Sequence, residues 1–236
     1  MYYDSNLALQ PSIAQTGTNM GTDVLSANII DLATVFSASV ISGGDVSLGE
    51  EAHVVELFQT AFVPASGTVA TFQPVLQTSD FVDFSTELIT EFPLCAPLQL
   101  GVPTTIAALS AGVMTVTTLG IAAVIQSLSR LFTGSISAPV DTGITITKQI
   151  SGTAGGANSA TFAVNNAVST VTPILFSQIW VGKQVGMRLP TSGLKRYLRM
   201  AYRTTGAAAN YTLTHQTFIV KDPENQQLGT IGYTVG

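Results

Sequence analysis

The sequence predicts an all-β protein. Three observations carry this: β-branched residues alternate with polar ones over short runs, glycine-containing clusters break those runs at short intervals, and only one stretch places apolar residues at helical spacing. At 236 residues with 46% apolar side chains, the chain can bury a sizeable core as one large β-domain or as a domain carrying an insertion.

In chain order, alternation or short apolar runs predict strands at residues 53–62, 68–76, 113–119, 143–150, 160–164, 174–181 and 211–220. Within 143–150, Ile144, Ile146 and Ile150 share one face, interrupted by Lys148, and Thr145 and Thr147 occupy the other. Gly43-Gly44, Ser66-Gly67, the stretch 152–156, Ser192-Gly193 and Gly206 supply the breaks. Helical spacing of Ile121, Val124, Ile125, Leu128 and Phe132 predicts one amphipathic helix over 119–132. No repeat of fixed period occurs.

Charge is scarce and divided. Only 10% of residues are charged, less than half the usual share of about 25%. A surface so poor in charge points to extensive cover by partners, the alternative being a thermally robust β-protein with a Thr/Ser surface. Residues 1–91 hold eleven carboxylates and no lysine or arginine, whereas residues 92–236 hold nine cations and three carboxylates, so the two segments sum to −11 and +6. Opposed ends of this kind are relieved by folding against each other or against a neighbouring copy.

A net charge of −5 argues against general nucleic-acid binding, which needs clustered cations. Cys95 is the single cysteine, so an intrachain disulfide is impossible, and a buried small hydrophobe is its expected role. The opening Met-Tyr-Tyr-Asp-Ser-Asn lacks the cationic and apolar regions of a signal peptide, which predicts assembly in a cytoplasm. Residues 92–129 are uncharged, but Pro103, interspersed glycine and threonine, and the lack of flanking anchors argue against a membrane span.

Chemistry finds little support in the sequence. His53 lies near Glu50, Glu51 and Glu56, but the order matches no zinc spacing, and on a strand Glu56 points away from His53. His215 shares parity with Tyr211, Leu213 and Ile219, as expected for a hydrogen-bonded histidine within a strand. No nucleophile elbow, phosphate-cradling loop or dinucleotide fingerprint is present. Asp80, Asp83, Glu87 and Glu91 lack the pattern of a calcium loop, and they read as a solvated or partner-facing acidic edge. No catalytic, cofactor or metal residue is therefore assigned, and the chain is not expected to be an enzyme.

The cations cluster between Lys183 and Arg203. As a strand, this segment puts Leu198, Met200 and Tyr202 on one face and Lys195, Tyr197, Arg199 and Arg203 on the other. As a helix it also gives one cationic stripe, so periodicity leaves the choice open. The stripe, with Arg196 beside it, is a solvated face or a docking surface for carboxylates, which arginine grips with two hydrogen bonds.

The same segment carries a family resemblance. The run from Gly186 to Gly206, containing Leu189-Pro190, Gly193 and Arg196-Tyr197-Leu198-Arg199, resembles a stretch near the end of the capsid cement proteins of short-tailed bacteriophages. Ile30-Asp31-Leu32 is similar to the opening of that family, and the run from Thr71 to Phe84, with Leu76-Gln77-Thr78-Ser79-Asp80, looks like one of its strands and turns. The resemblance covers somewhat more than half of the chain. It implies a jelly-roll β-sandwich on the outer surface of an icosahedral capsid, assembled in the host cytoplasm, that staples neighbouring major capsid subunits and self-associates as a homodimer or other symmetric oligomer. It implies no cofactor, nucleic acid or membrane.

Residues 1–94 and 182–236 are accordingly expected to form a discontinuous jelly-roll cement domain, with 95–181, which has no counterpart in the family, as an inserted β-rich subdomain or extended loops. Lys195, Arg196, Arg199 and Arg203 are the expected contacts to capsid or protomer. The alternative is a tail or receptor-binding jelly roll whose insertion recognises a cell-surface carbohydrate, although Phe132, Phe162, Phe176 and Trp180 are the insertion's only aromatic side chains for such a site. A cupin-like enzyme is disfavoured by the presence of only two histidines and no His-x-His pair.

Overall fold

Antiparallel strands account for nearly all of the regular secondary structure in the computed structural model, which describes residues 8–17, 23–32, 52–60, 63–64, 70–85, 89–99, 102–103, 107–116, 125, 127–135, 138–152, 160–166, 175–190, 192–206 and 211–221. Three sheets form. The first takes β1 (Ala8–Gly17), β4 (Ala52–Phe58), β5 (Val63–Pro64), β16 (Gln184–Arg188) and β18 (Tyr211–Lys221). The second takes β2 (Val24–Leu25), β3 (Ile30–Asp31), β6 (Ala70–Ser79), β7 (Thr90–Pro93), β8 (Leu98–Gln99) and β17 (Tyr197–Gly206). The third is built from β9 (Val102–Pro103), β10 (Ala107–Ser110), β11 (Val113–Val116), β12 (Arg130–Ser135), β13 (Ala138–Ser151), β14 (Ala160–Val164) and β15 (Leu175–Ser177).

The first two sheets have the orders β1-β18-β4-β16 and β2-β17-β6-β7. These orders follow from a simple folding path. If the chain doubles back as one long hairpin, the outermost strands pair first, then each successive inner pair, and the observed antiparallel pairs are β1 with β18, β2 with β17, β4 with β16 and β6 with β7. Rolling that ribbon brings β18 against β4 and β17 against β6, which closes a jelly roll. The third sheet is spliced into the returning arm of the hairpin, after the innermost pair β6–β7, between β8 and β16.

Alternation drives the two jelly-roll sheets together. Leu9, Val54, Phe58, Leu213 and Ile219 from the first sheet meet Ile30, Phe72, Leu76, Leu198, Met200 and Tyr202 from the second in one core. Each fully buried large apolar side chain contributes about 1.5–3 kcal/mol before entropy is counted. A second core, including Leu109, Met114, Leu131, Ile146, Phe162 and Phe176, belongs to the third sheet.

Backbone chemistry explains the irregular places. Pro11 lies on the edge strand β1, between the paired residues Gln10 and Ile13, where the register shifts and no ladder donor is required. Pro74 sits inside the second sheet, yet its missing N–H faces the gap between the short strands β7 and β8, where its carbonyl accepts from Leu94 N (2.9 Å). Gly186 allows β16 to approach β4, because an added Cβ would lie 2.7 Å from the Val54 carbonyl oxygen.

Three expectations from periodicity are corrected. Phe132 belongs to strand β12, and Leu128, which a helix over 119–132 would bury, is 42% exposed with φ of 65°. The apolar spacing there serves a bend into a strand, while residues 119–124 and 126 lie outside the described residues. Ile144 and Ile146 are buried as expected, but Ile150 is exposed. Register shifts between Ile146 and Lys148, and again between Gln149 and Ser151, add residues to β13; Ile150 falls in the second shift, in a stretch from Thr147 to Ser151 that is exposed throughout. The expected strand over 174–181 is formed only as Leu175–Ser177.

Candidate functional site

The cationic segment forms the middle of the second sheet. Leu198, Met200 and Tyr202 are fully buried, and the strand alternative is the one adopted. Tyr197 pairs with Asp31 of β3 on one side and with Ser79 of β6 on the other. The three motifs carrying the family resemblance are thus neighbours in one sheet.

That adjacency gives most of the cations an internal partner. Arg196 donates from Nε to Asp31 Oδ1 (2.9 Å) and from Nη2 to Oδ2 (2.8 Å). Arg203 donates from Nε and Nη2 to Asp23 (3.1 and 2.9 Å), and Nη2 also reaches Glu91 Oε1 (3.0 Å). The Arg203 guanidinium holds the Glu91 carboxyl below its ordinary range, and the two carboxylates hold Arg203 above its own. Arg199 donates to Gln77 Oε1 (2.8 Å) and lies 4.0 Å from the centre of the Phe84 ring. Lys195 Nζ stands 3.9 Å from Asp80, a long ion pair.

The acidic and basic ends of the chain therefore meet within a protomer. Residues separated by 165 positions in the case of Asp31 and Arg196 become lateral neighbours because β3 and β17 pair. Of the four expected contact residues, Arg196 and Arg203 are engaged by carboxylates, Arg199 braces a turn, and Lys195 faces Asp80 at the start of that turn.

The turn follows β6. Asp80, Phe81, Val82 and Asp83 are exposed, and Phe84 folds back to 3% exposure. Phe84 N donates to the Phe81 carbonyl (3.1 Å), Phe81 N to Ser79 Oγ (3.1 Å), and Ser85 N to Asp83 Oδ1 (3.2 Å). Two carboxylates thus flank two exposed apolar side chains. Glu87 lies outside the described residues.

Other polar groups are interior. Glu56, pointing inward from β4, takes a hydrogen bond from Thr217 Oγ1, and its Oε1 lies 2.5 Å from His215 Nδ1. Tyr202 OH lies 2.6 Å from Thr217 Oγ1, and because the Thr217 hydrogen is used on Glu56, Tyr202 must donate. The four side chains are fully buried, with the Tyr202 and His215 rings edge to face at 4.4 Å. Parity placed His215 in a strand, but its partner 159 residues away had no local signal.

At the root of the third sheet, Gln178 N donates to the Gln99 carbonyl (2.9 Å) and Gln99 N to Gln178 Oε1 (2.7 Å), clasping the entering and leaving chain together. Lys183 is 7% exposed there, with Nζ 2.5 Å from the Gln178 carbonyl and 4.5 Å from the Trp180 ring centre, while Arg130 stacks on the same ring at 4.4 Å. Burial pushes the Lys183 amine down to about 8. It also pushes the Cys95 thiol up to about 11, although Cys95 is only partly buried against the core.

Among the described residues, no three His, Cys, Asp or Glu side chains gather as metal ligands, and Glu50 and Glu51 fall outside them. No family model matches the chain, and neither curated proteins nor solved structures give a match.

Proposed function

We propose that this chain is a structural virion protein of a bacteriophage that binds the outer capsid surface and staples neighbouring major capsid subunits. The observation that carries the reading is the convergence of Ile30-Asp31-Leu32, the strand ending in Thr78-Ser79, and Tyr197-Leu198-Arg199 as hydrogen-bonded neighbours within a jelly roll. Motifs scattered along the sequence thereby become adjacent strands of one sheet, a shared framework that holds the turn after β6. A low-charge jelly roll suits such a task, because many symmetric copies multiply modest individual contacts. Self-association as a homodimer or other symmetric oligomer belongs to the same proposal.

The carbohydrate-binding alternative draws less support. Phe132, Phe162 and Phe176 are at most 1% exposed and Trp180 only 8%, so none offers a stacking platform for a sugar. The test is addition of purified protein to capsids lacking it, followed by heating. Saturable binding with a raised temperature of capsid rupture supports the capsid reading. Binding to a glycan array with no affinity for capsids overturns it in favour of a receptor role.

A further inference from the structure

We propose that the turn after β6 is a preformed contact knob, in which Phe81 and Val82 enter an apolar socket on another protein and Asp80 and Asp83 meet lysine or arginine at its rim. This rests on the capsid reading, with the socket on the capsid subunit. Phe81 is 49% exposed and Val82 57%, in a protein whose large fully buried side chains are mostly aromatic. Exposed apolar residues side by side at a turn tip gain nothing from water and match the buried centre of an interface, where aromatics are enriched.

The turn is also held in shape. Phe84 adopts φ of 51°, a left-handed conformation unfavourable for a phenylalanine, and it is kept there by burial of its ring beneath Arg199. Three hydrogen bonds donated by backbone N–H groups, from Phe84 to the Phe81 carbonyl, from Phe81 to Ser79 Oγ and from Ser85 to Asp83 Oδ1, fix the rest; an asparagine at 83 keeps the last acceptor. A knob already ordered loses little entropy on docking, so its apolar area converts efficiently into affinity.

Charge selects the occupant. Arg196 and Arg203 in the same sheet are engaged with Asp31, Asp23 and Glu91, and Lys195 lies 3.9 Å from Asp80. Arg199 also reaches this turn, but it is turned to the Phe84 ring and to Gln77 beneath it, so Asp80 and Asp83 are the charges displayed beside Phe81 and Val82, and the complementary rim is cationic. A second copy, whose Arg196 and Arg203 on this sheet are already engaged by carboxylates, offers it a poorer cationic rim.

The experiment uses full-length protein and capsids assembled without it from the major capsid protein of the same genome, with affinity read by co-sedimentation. F81S/V82S is expected to bind about tenfold or more weakly. D80N/D83N is expected to bind several-fold more weakly at low salt, and the deficit should shrink as salt screens the wild-type contact. Both should keep the wild-type melting temperature; if F81S/V82S melts early, the exposed D80N/D83N pair carries the test. Wild-type affinity in both variants overturns the knob and leaves the capsid reading intact. Failure of the wild type to bind overturns both. Weakened self-association with unchanged capsid affinity also overturns the knob, by assigning it to an interface between copies.

Discussion

Arg196 and Asp31 form a two-pronged ion pair across adjacent strands, with hydrogen bonds of 2.8 and 2.9 Å. It joins the basic end of the chain to the acidic end inside one sheet. The polarity of the sequence thus helps to pair β17 with β2 and β3 and to tie it to β7, while Asp80 and Asp83 remain exposed on the turn after β6.

Arg203 ties Asp23 on one side to Glu91 on the other, but it is 37% exposed, so water screens it. Arg203→Ala is expected to cost about 1 kcal/mol, less at high salt. Because Glu91 is held below its ordinary range in the folded state, its contribution is present above the unfolded value and lost as pH falls through the folded one. Urea melts of wild type and Arg203→Ala should therefore converge in acid and separate near neutrality.

Lys183 gives the opposite sign in alkali. Its folded value of about 8 lies below the ordinary 10.5, so folding opposes the charged amine. The full penalty, of order 3 kcal/mol, applies below pH 8 and is relieved as pH rises toward 10.5. Cys95, raised from 9 to about 11, acts in the other direction above pH 9, so the measurement belongs in a Cys95→Ala background. There, stability should climb between pH 8 and 10.5, and Lys183→Met should abolish the climb.

The Glu56 cluster should behave as a unit. Removing His215 or Glu56 alone leaves a buried polar partner stranded, and either substitution to leucine is expected to cost about 3–5 kcal/mol. The double substitution should cost clearly less than the sum, because neither orphan remains. Tyr202→Phe, which removes only the donor to Thr217, should cost about 1 kcal/mol. Chemical denaturation of the four variants measures the coupling.

Gly186→Ala tests the closeness of β16 and β4. The new methyl would meet the Val54 carbonyl at 2.7 Å, and backbone on both sides must move. A loss of about 1–3 kcal/mol is expected, with faster amide exchange along β16.

Much of the jelly roll was legible from alternation. The parity of Leu198, Met200 and Tyr202, and of Leu213, His215 and Ile219, follows from a period of two and needs no knowledge of the partner strand. Strand order is different, because it depends on pairings such as β1 with β18 that no local window contains. That is why periodicity showed the cations only as a stripe, solvated or docking, with no sign of their internal partners: Asp23, Asp31 and Glu91 become their neighbours only once the hairpin is rolled. Local pattern also failed where local geometry overrode it. The bulges of β13 turned Ile150 outward, and the left-handed Leu128 ended any helical course before Phe132. The exposed turn was partly visible, since Asp80 and Asp83 read as an acidic edge, but the display of Phe81 and burial of Phe84 required the backbone turn.

The most direct test of the central claim is a single-particle reconstruction of the intact phage in which this protein is located. The account predicts jelly-roll density on the outer face of the capsid shell, bridging adjacent capsid subunits, with the turn carrying Phe81 and Val82 against the shell. Density confined to the tail, or a particle in which the protein is missing while the shell is intact and equally stable, would contradict it.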